Sequence, residues 1–566
     1  MQQKRIRQSW LLGAAAAAAL FTALWLISDF RFENSDDGLL LRAFMGFEGG
    51  VPASFSTCAQ PLLTWALCAL GTAAPGVAWY SVYQLFVLLL SCAVMVKCMA
   101  QLANPSRHPL LIGGLAGGLL LLTLASMAAC RVSFTTTAAL AGAAGVAQAL
   151  AAGEEGLSDG QILRRCLAGL GMLTLGYLLR PQSAWPSLAM MGVVLGWRLT
   201  ARKQAGQSLK PLATALVCCL IALAALIGLR QWEIDRLGVQ ADLDWHAART
   251  ELMDYTAFES DPAPALAAGT SLPATEVELV RQWYFMDSAI TTDALNRLHA
   301  AYVPQAKAET LPRLARFISE NPRYLYMALM LFTLWALCWR GSARSAPWAV
   351  AAATAALLGT VFMLGYLAWR GRLLPRAADT VFFPCAVALA GFAVHRRATV
   401  PNGGCLRRAV AVALAVALLA TVALQANEIR YAITRKPDTL SQQREADLET
   451  FALAHPDLLI ARSPNLLRDT RLFPDVSKGI PANLILWGDW TCRTPSWYRQ
   501  LERYGFDGRA FSASDWLSPG IALATAEPAD TEALRAFLSD ALGEPIIASP
   551  CGECGTLTFY QFQQPG

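Results

Sequence analysis

The sequence predicts a polytopic α-helical membrane protein that ends in a water-exposed α/β or α+β domain. Three observations lead there. Of the 566 residues, 55% are hydrophobic and only 15% are charged, against about 25% charged in an average soluble chain. Apolar runs of roughly 20 residues recur, each long enough to cross about 30 Å of hydrocarbon as a helix. Residues 427–566, by contrast, are mixed polar and carry short strand-like and helical patterns.

The first apolar run, residues 10–27, follows Lys4, Arg5 and Arg7. No small-residue cleavage site leads into a mature domain, so the run reads as a retained signal-anchor helix with its basic end inside. Residues 28–60 then form a first outer loop. It holds the acidic stretch Glu33-Asn34-Ser35-Asp36-Asp37, followed by the amphipathic run from Gly38 to Glu48. A second short apolar piece begins at Pro61 and fades at Gly71. It is too short to cross, and its length suits an interfacial helix.

That choice sets the orientation of everything after it. If the Pro61 piece lies on the outer face, the basic groups all fall inside: Lys97, Arg107 and His108; Arg164 and Arg165; Arg198, Arg202, Lys203 and Lys210; Arg340 and Arg344; His395, Arg396 and Arg397 with Arg407 and Arg408. If it crosses, they fall outside. The positive-inside rule selects the interfacial reading. The remaining spans are expected near residues 78–99, 110–129, 134–151, 163–179, 184–197, 212–229, 324–339, 348–368, 381–394 and 410–426. With the first span these make about eleven transmembrane helices, plus two outer surface helices. No internal repeat is evident, which argues against a transporter built from inverted repeats.

Two regions outside the spans are large. Residues 231–322 form an outer loop that opens with a helical pattern through Trp232, Asp235, Trp245 and His246 and carries a second through Arg281 to Asp287. A loop of that length in a compact unit is usually functional. The membrane domain is accordingly assigned to residues 1–426 and the soluble domain to 427–566. In the latter, strands are expected at 457–461, 482–487, 520–524 and 556–560, with helices at 497–504 and 529–541.

The predicted outer face gathers unusual polar groups: Glu33, Asp36 and Asp37; Arg131 before Phe134-Thr135-Thr136-Thr137; Arg180 with Gln182; and Arg370, Arg372 and Arg376. Arginines placed against the positive-inside bias call for a partner or a cavity, and a guanidinium grips phosphate with two parallel hydrogen bonds. A carboxylate among them fits a general base beside a phosphate clamp. The bland readings compete: a lone arginine can snorkel to lipid headgroups, Asp36 can cap the helix that follows, and the threonine run can serve helix packing.

Taken together, these features resemble the GT-C superfamily of integral-membrane glycosyltransferases, which includes protein O-mannosyltransferases and the aminoarabinose transferases of lipid A. The features are the acidic pair Asp36-Asp37 opening a surface helix after the first span, the short helix at Pro61, and Arg370-Gly371-Arg372 before a late span. The likeness covers residues 1–426. It implies a polyprenyl-phosphate sugar donor held by basic residues, a first-loop aspartate acting on the acceptor hydroxyl, and a multi-pass protein of the bacterial cytoplasmic membrane with its C-terminal domain outside. On that basis Asp36 and Asp37 are the catalytic candidates. Arg370, Arg372, Arg131, Arg180 and Gln182 are the substrate-binding ones. Two positions depart from the pattern: Ala59-Gln60 precede Pro61 where some members have lysine, and Thr135–Thr137 stand where many have an acid. No cofactor is assigned and no metal site is predicted, although the resemblance leaves a divalent metal open. The acceptor is an envelope glycan, lipid or protein, and no nucleic-acid motif is present.

Two other functions stay open: a polysaccharide polymerase or ligase of the envelope, and a non-enzymatic lipid-linked transporter or scaffold. Fourteen cysteines are present. Eleven lie in or beside apolar runs, where cysteine acts as a small hydrophobe. Cys492, Cys551 and Cys554 lie in the tail, where a disulfide is the first expectation for an extracytoplasmic domain. Zinc would need more ligands than His455, the tail's one histidine, can supply. Trp487, Trp490, Trp497 and Tyr498 are expected in the core rather than stacked on sugars, and His246 and His299 are read as structural.

Overall fold

The computed structural model describes residues 2–565 except 48, 105, 153–156, 268–271, 303–308, 340–346, 400–411, 413–414, 417, 425, 428–429, 431–438, 464–465, 467–469 and 489–490. Arg340, Arg344, Arg407, Arg408, Trp490 and part of the predicted span 410–426 therefore lie outside the described residues, as do the side chains of Arg396 and Arg397.

The membrane part is a bundle of long helices with two short ones after the first. In chain order these are α1 (Gln2–Ile27), α2 (Ser35–Met45), α3 (Pro61–Ala73), α4 (Trp79–Leu102), α5 (Pro109–Cys130), α6 (Phe134–Ala151), α7 (Asp159–Leu179), α8 (Pro181–Gln204) and α9 (Lys210–Leu237). Among the described residues, eight helices of the chain are long and apolar enough to cross a membrane. The chain is a multi-pass membrane protein. α3 is apolar but only 13 residues long and is not among these eight.

α6 sits at the centre, and its composition explains why. Its alanines and glycines let neighbouring backbones approach closely. A Cβ on Gly145 would lie 2.7 Å from the Gly169 carbonyl oxygen of α7. All of α6 is buried.

The large loop does not follow the sequence reading in detail. α9 runs on past the span to Leu237 and stops at Gly238, whose φ of 64° ends the helix in the left-handed region. The residues read as one helix are therefore divided between α9 and α10 (Gln240–Tyr255). Three shorter helices follow: α11 (Ala263–Ala267), α12 (Ala274–Arg281) and α13 (Thr292–Ala300). The pattern through Arg281 to Asp287 is helical only to Arg281. Trp283 has a φ of 68°, and the Phe285 N–H donates to the Trp487 carbonyl oxygen at 2.6 Å. The chain then passes through α14 (Thr310–Glu320), α15 (Pro322–Trp339), α16 (Pro347–Arg370) and α17 (Pro375–Thr399).

The tail folds as α/β. It comprises α18 (Thr439–Ala454), β3 (Leu459–Arg462), β4 (Leu484–Leu486), α19 (Pro495–Arg503), β5 (Ile521–Thr525), α20 (Pro528–Leu542), β6 (Ile547–Cys554) and β7 (Leu557–Gln563). The sheet order is β4-β3-β5-β7-β6, with β3 parallel to β4 and β5 and an antiparallel β7–β6 edge. The outer loop shares its core: Trp245, Leu252, Phe258 and Phe285 belong to one buried cluster with Leu459, Trp487, Trp497 and Leu523. Loop and tail thus form one soluble layer. Trp487 and Trp497 are buried in it.

Cys492, Cys551 and Cys554 are free thiols, contrary to the expected disulfide. Cys551 and Cys554 both lie on β6, where residues three apart point to opposite faces, and Cys492 is buried elsewhere in the core.

Candidate active site

The acidic stretch lies where the bundle meets the soluble layer. A two-residue parallel pairing of β1 (Arg31–Phe32) with β2 (Arg131–Val132) fixes the chain just before it. Asn34 then caps α2, its side chain accepting from the Asp37 N–H. This local geometry places Asp36 and Asp37 in the first turn, where the helix dipole favours negative charge.

α2 is more enclosed than the surface helix expected. Every residue from Asp37 to Met45 is buried, which accounts for its run of consecutive leucines. Leu39 packs on Leu486 of β4. Phe44 meets Tyr80 of α4 with ring centroids 5.5 Å apart. Arg42 pairs with Glu445 and Glu449 of α18 at 2.7 and 2.8 Å.

The two aspartates have different surroundings. Asp37 is fully buried. Its Oδ1 accepts from the Tyr80 hydroxyl, from Gln84 Nε2 and from the Phe134 backbone N–H, each at 2.9 Å. Phe134 opens α6, so the carboxylate also sits at a helix N-terminus. Thr137 donates to Gln84 Oε1 at 3.1 Å and so turns the amide N–H₂ toward Asp37. The threonine run thus positions an amide as well as packing. Burial nevertheless dominates over these hydrogen bonds and raises the Asp37 carboxyl to about 7, with the charge of Asp36 adding to the rise.

Asp36 is partly open. It forms an ion pair with Arg376 Nη1 at 3.0 Å, with side-chain exposures of 17% and 23%. Around this pair lie further charges. Arg323 of α15 bridges to Asp379 of α17 at 2.8 Å and also donates to the Tyr324 hydroxyl oxygen. That oxygen lies 3.0 Å from Asp379 Oδ1. Glu33 completes the group. Burial and then the nearby Asp379 charge raise its carboxyl to about 7, opposed by Arg323 and Arg376. Three carboxylates and two guanidiniums from α15, α17 and the first loop therefore share one electrostatic site.

The other predicted site residues are distributed more widely. Arg370 pairs with Glu251 at 2.5 Å and Arg372 with Asp254 at 2.6 Å. Both guanidiniums lie over the Tyr255 ring, 4.9 and 5.3 Å from its centroid. The turn between them needs Gly371: its φ is 92°, and a Cβ there would fall 2.6 Å from the Tyr255 carbonyl oxygen. Arg131 is buried, and its Nη1 donates to the carbonyl oxygens of Asp29 and Cys130. Arg180 lies over the Phe134 ring at 4.8 Å, next to the residue whose amide holds Asp37. Gln182 is exposed. The structure thus brings Asp36 to Arg376, not to Arg370 or Arg372, whose described ion pairs are with α10.

Sequence reading did not single out Arg323, Asp379 or Gln84. Asp379 carried a usable signal, being an acid one turn after Arg376 at the start of a largely apolar helix. Among the described residues, no three His, Cys, Asp or Glu side chains gather closely enough to hold a metal ion.

No protein-family model matches the chain, and no curated protein sequence does. Solved structures do show a likeness. Apo ArnT from Cupriavidus metallidurans is 14% identical, with 97% of each chain covered and a TM-score of 0.39. The same protein bound to undecaprenyl phosphate is 13% identical over 97% of each chain, with a TM-score of 0.37. The apo oligosaccharyltransferase of Archaeoglobus fulgidus is 13% identical over 97% of this chain and 74% of that one, with a TM-score of 0.40.

Proposed function

We propose that this protein is a membrane glycosyltransferase. It moves a sugar from a polyprenyl-phosphate donor to a hydroxyl of an envelope glycan, lipid or protein on the outer face of a bacterial cytoplasmic membrane. The observation that carries this reading is the Asp36–Arg376 ion pair within a group of three carboxylates and two guanidiniums.

In this reading the donor's phosphate takes Arg376 from Asp36 and so releases the carboxylate. A guanidinium suits that exchange, because phosphate and carboxylate occupy the same fork of donors. Asp36 then accepts the proton of the acceptor hydroxyl. The hydroxyl oxygen bonds to the anomeric carbon as the bond from that carbon to the phosphate oxygen breaks. Lipid phosphate leaves with its charge against Arg376, and the configuration inverts. Asp37 does not touch substrate here; held by three donors, it fixes the first turn of α2 and thereby the place of Asp36. Arg131 and Arg180 are the further cations of this end for the donor phosphate, while Arg370 and Arg372 pair with Glu251 and Asp254 of α10.

The test uses the full-length protein reconstituted in liposomes, with the donor class taken from mass spectrometry of copurified lipid. Asp36→Asn should lower the rate of transfer by about 10²–10⁴-fold, the range for loss of a general base, and Arg376→Ala should weaken donor binding. Transfer retained in Asp36→Asn would remove the base, and the polymerase or ligase reading would take its place.

A further inference from the structure

Among the described residues, one cavity lies apart from Asp36. It has a volume of about 830 Å³ and lies between α3, the loop after α2, and the segment leading into β4. That volume suits a small organic ligand. Val51, Cys68, Thr72, Val476 and Ile480 are among its lining residues, and one charged residue, Arg499 of α19, joins them.

The cavity is held open by fixed structure. The soluble domain is anchored just beside it: the Ser81 hydroxyl of α4 donates to the Leu472 carbonyl oxygen at 2.6 Å, and Leu472 is buried in the bundle's core. Gly71 packs closely there, since a Cβ would lie 3.0 Å from the Phe44 carbonyl oxygen and 3.1 Å from Pro52.

Its surroundings divide by chemistry. Large apolar side chains are exposed at the cavity or next to its lining residues: Val51, Leu70 and Val77. α3 is the short apolar helix that cannot span, so this exposed apolar band sits at the level of a membrane surface. On the soluble side stand Arg499 and Arg503, one helical turn apart on α19, a spacing that puts both on one face. Arg503 Nη1 lies 3.0 Å from where a Cβ on Gly50 would sit, and Gly50 is a lining residue. Both arginines are exposed, and among the described residues neither has a carboxylate within ion-pair distance.

We infer that this cavity is a binding site for an anionic membrane phospholipid, with an acyl chain in the space beside α3 and the phosphate on Arg499 and Arg503. The apolar lining gives a free phosphate nothing to gain, and the paired guanidiniums give an uncharged alkyl chain no orientation; a phospholipid satisfies both. The site is separate from the Asp36 group and stands whether or not the protein transfers sugar.

Photolabelling of the full-length protein in nanodiscs tests this. The probe is phosphatidylglycerol carrying a diazirine on one acyl chain, compared with the same probe built on phosphatidylcholine. Crosslinks are expected on peptides covering residues 51–76 and 472–482, several-fold stronger for phosphatidylglycerol. Thr72→Trp, a change at an exposed lining position, should lower this labelling at least tenfold without altering the melting temperature. Arg499→Glu with Arg503→Glu should bring phosphatidylglycerol down to the level of phosphatidylcholine. Asp36→Asn should leave the labelling unchanged, which separates this site from the proposed transfer chemistry. Labelling confined to the spans, insensitivity to Thr72→Trp, equal labelling by both lipids, or full competition by inorganic phosphate would each overturn the inference.

Discussion

Asp37 presents one carboxylate oxygen to three donors and, among the described residues, has no hydrogen-bond partner on the other. Its carboxyl is raised from 3.8 to about 7, first by burial. The sign of the consequence follows from linkage. As pH rises the unfolded chain ionises near 4 while the folded one still holds its proton, so stability falls between about pH 4 and 7 and levels off above. Asp37→Asn keeps an acceptor for the three donors and removes the charge. It should flatten this part of the melting-temperature profile and be the more stable protein at pH 8, by on the order of a few kcal/mol. Melting curves in detergent that run parallel for the two proteins from pH 4 to 8 would reject this. At this scale the sequence was informative about Asp36 and Asp37, because acids at the start of a helix beside a membrane have few roles. It put forward Arg370 and Arg372 and left out Arg376, although all three share a type and a stretch. What separates them is backbone: the turn at Gly371 sends two toward α10, and the start of α17 at Pro375 sends the third toward Asp36.

Between the residue and the molecule stands α18, which no hydrophobic pattern announced. Its inward face is polar: Ser441, Glu445 and Asp447 are buried alongside Leu448 and Phe451. Glu445 takes Arg462 of β3 at 2.6 Å and Arg42 of α2 at 2.7 Å. A helix that buries carboxylates for arginines elsewhere shows only a short apolar stripe, here Leu448, Phe451 and Ala452. β6 escaped for a related reason, being an edge strand with Pro550, Gly552 and Cys551 in place of alternating hydrophobes. The strands β3, β4 and β5 were legible because burial of every residue leaves uninterrupted apolar runs, and the spans because a helix facing lipid is apolar on its outer side as well. The Arg42 link makes a prediction of its own. Removing one partner of a buried ion pair costs about 3–5 kcal/mol, because the other charge stays buried. Arg42→Ala should therefore loosen the soluble layer from the bundle and expose residues 439–454 to limited proteolysis. Arg462 still compensates Glu445, so adding Glu449→Gln, which removes the second stranded charge, should restore part of the protection.

The molecule as a whole is two layers, and the loop at residues 240–302 belongs to the upper one through the core it shares with the tail. That placement was not readable from sequence, because the two segments are far apart in the chain and neither buries its apolar face alone. It gives Arg370 and Arg372 a mechanical meaning, since their partners Glu251 and Asp254 sit on α10 of that layer. The pairs differ in strength: side-chain exposures are 36% and 35% for the first but 14% and 16% for the second. Exposed pairs contribute roughly 0–1 kcal/mol, so the Arg372–Asp254 pair should dominate the docking. A charge exchange distinguishes docking from donor binding. Arg372→Glu should weaken the seat of the upper layer and lower transfer, with increased proteolysis of 240–302 as the structural readout. Adding Asp254→Arg restores opposite charges with the positions exchanged. If Arg372 acts by docking, both protection and transfer return, transfer to within about tenfold of the original, since 1.4 kcal/mol is a factor of ten. If Arg372 holds the donor's phosphate, protection returns while transfer stays lost, because the cation now projects from α10 instead of from the turn after α16. The geometry favours the first outcome, with Arg376 meeting Asp36 directly and Arg372 holding the layer above it in place.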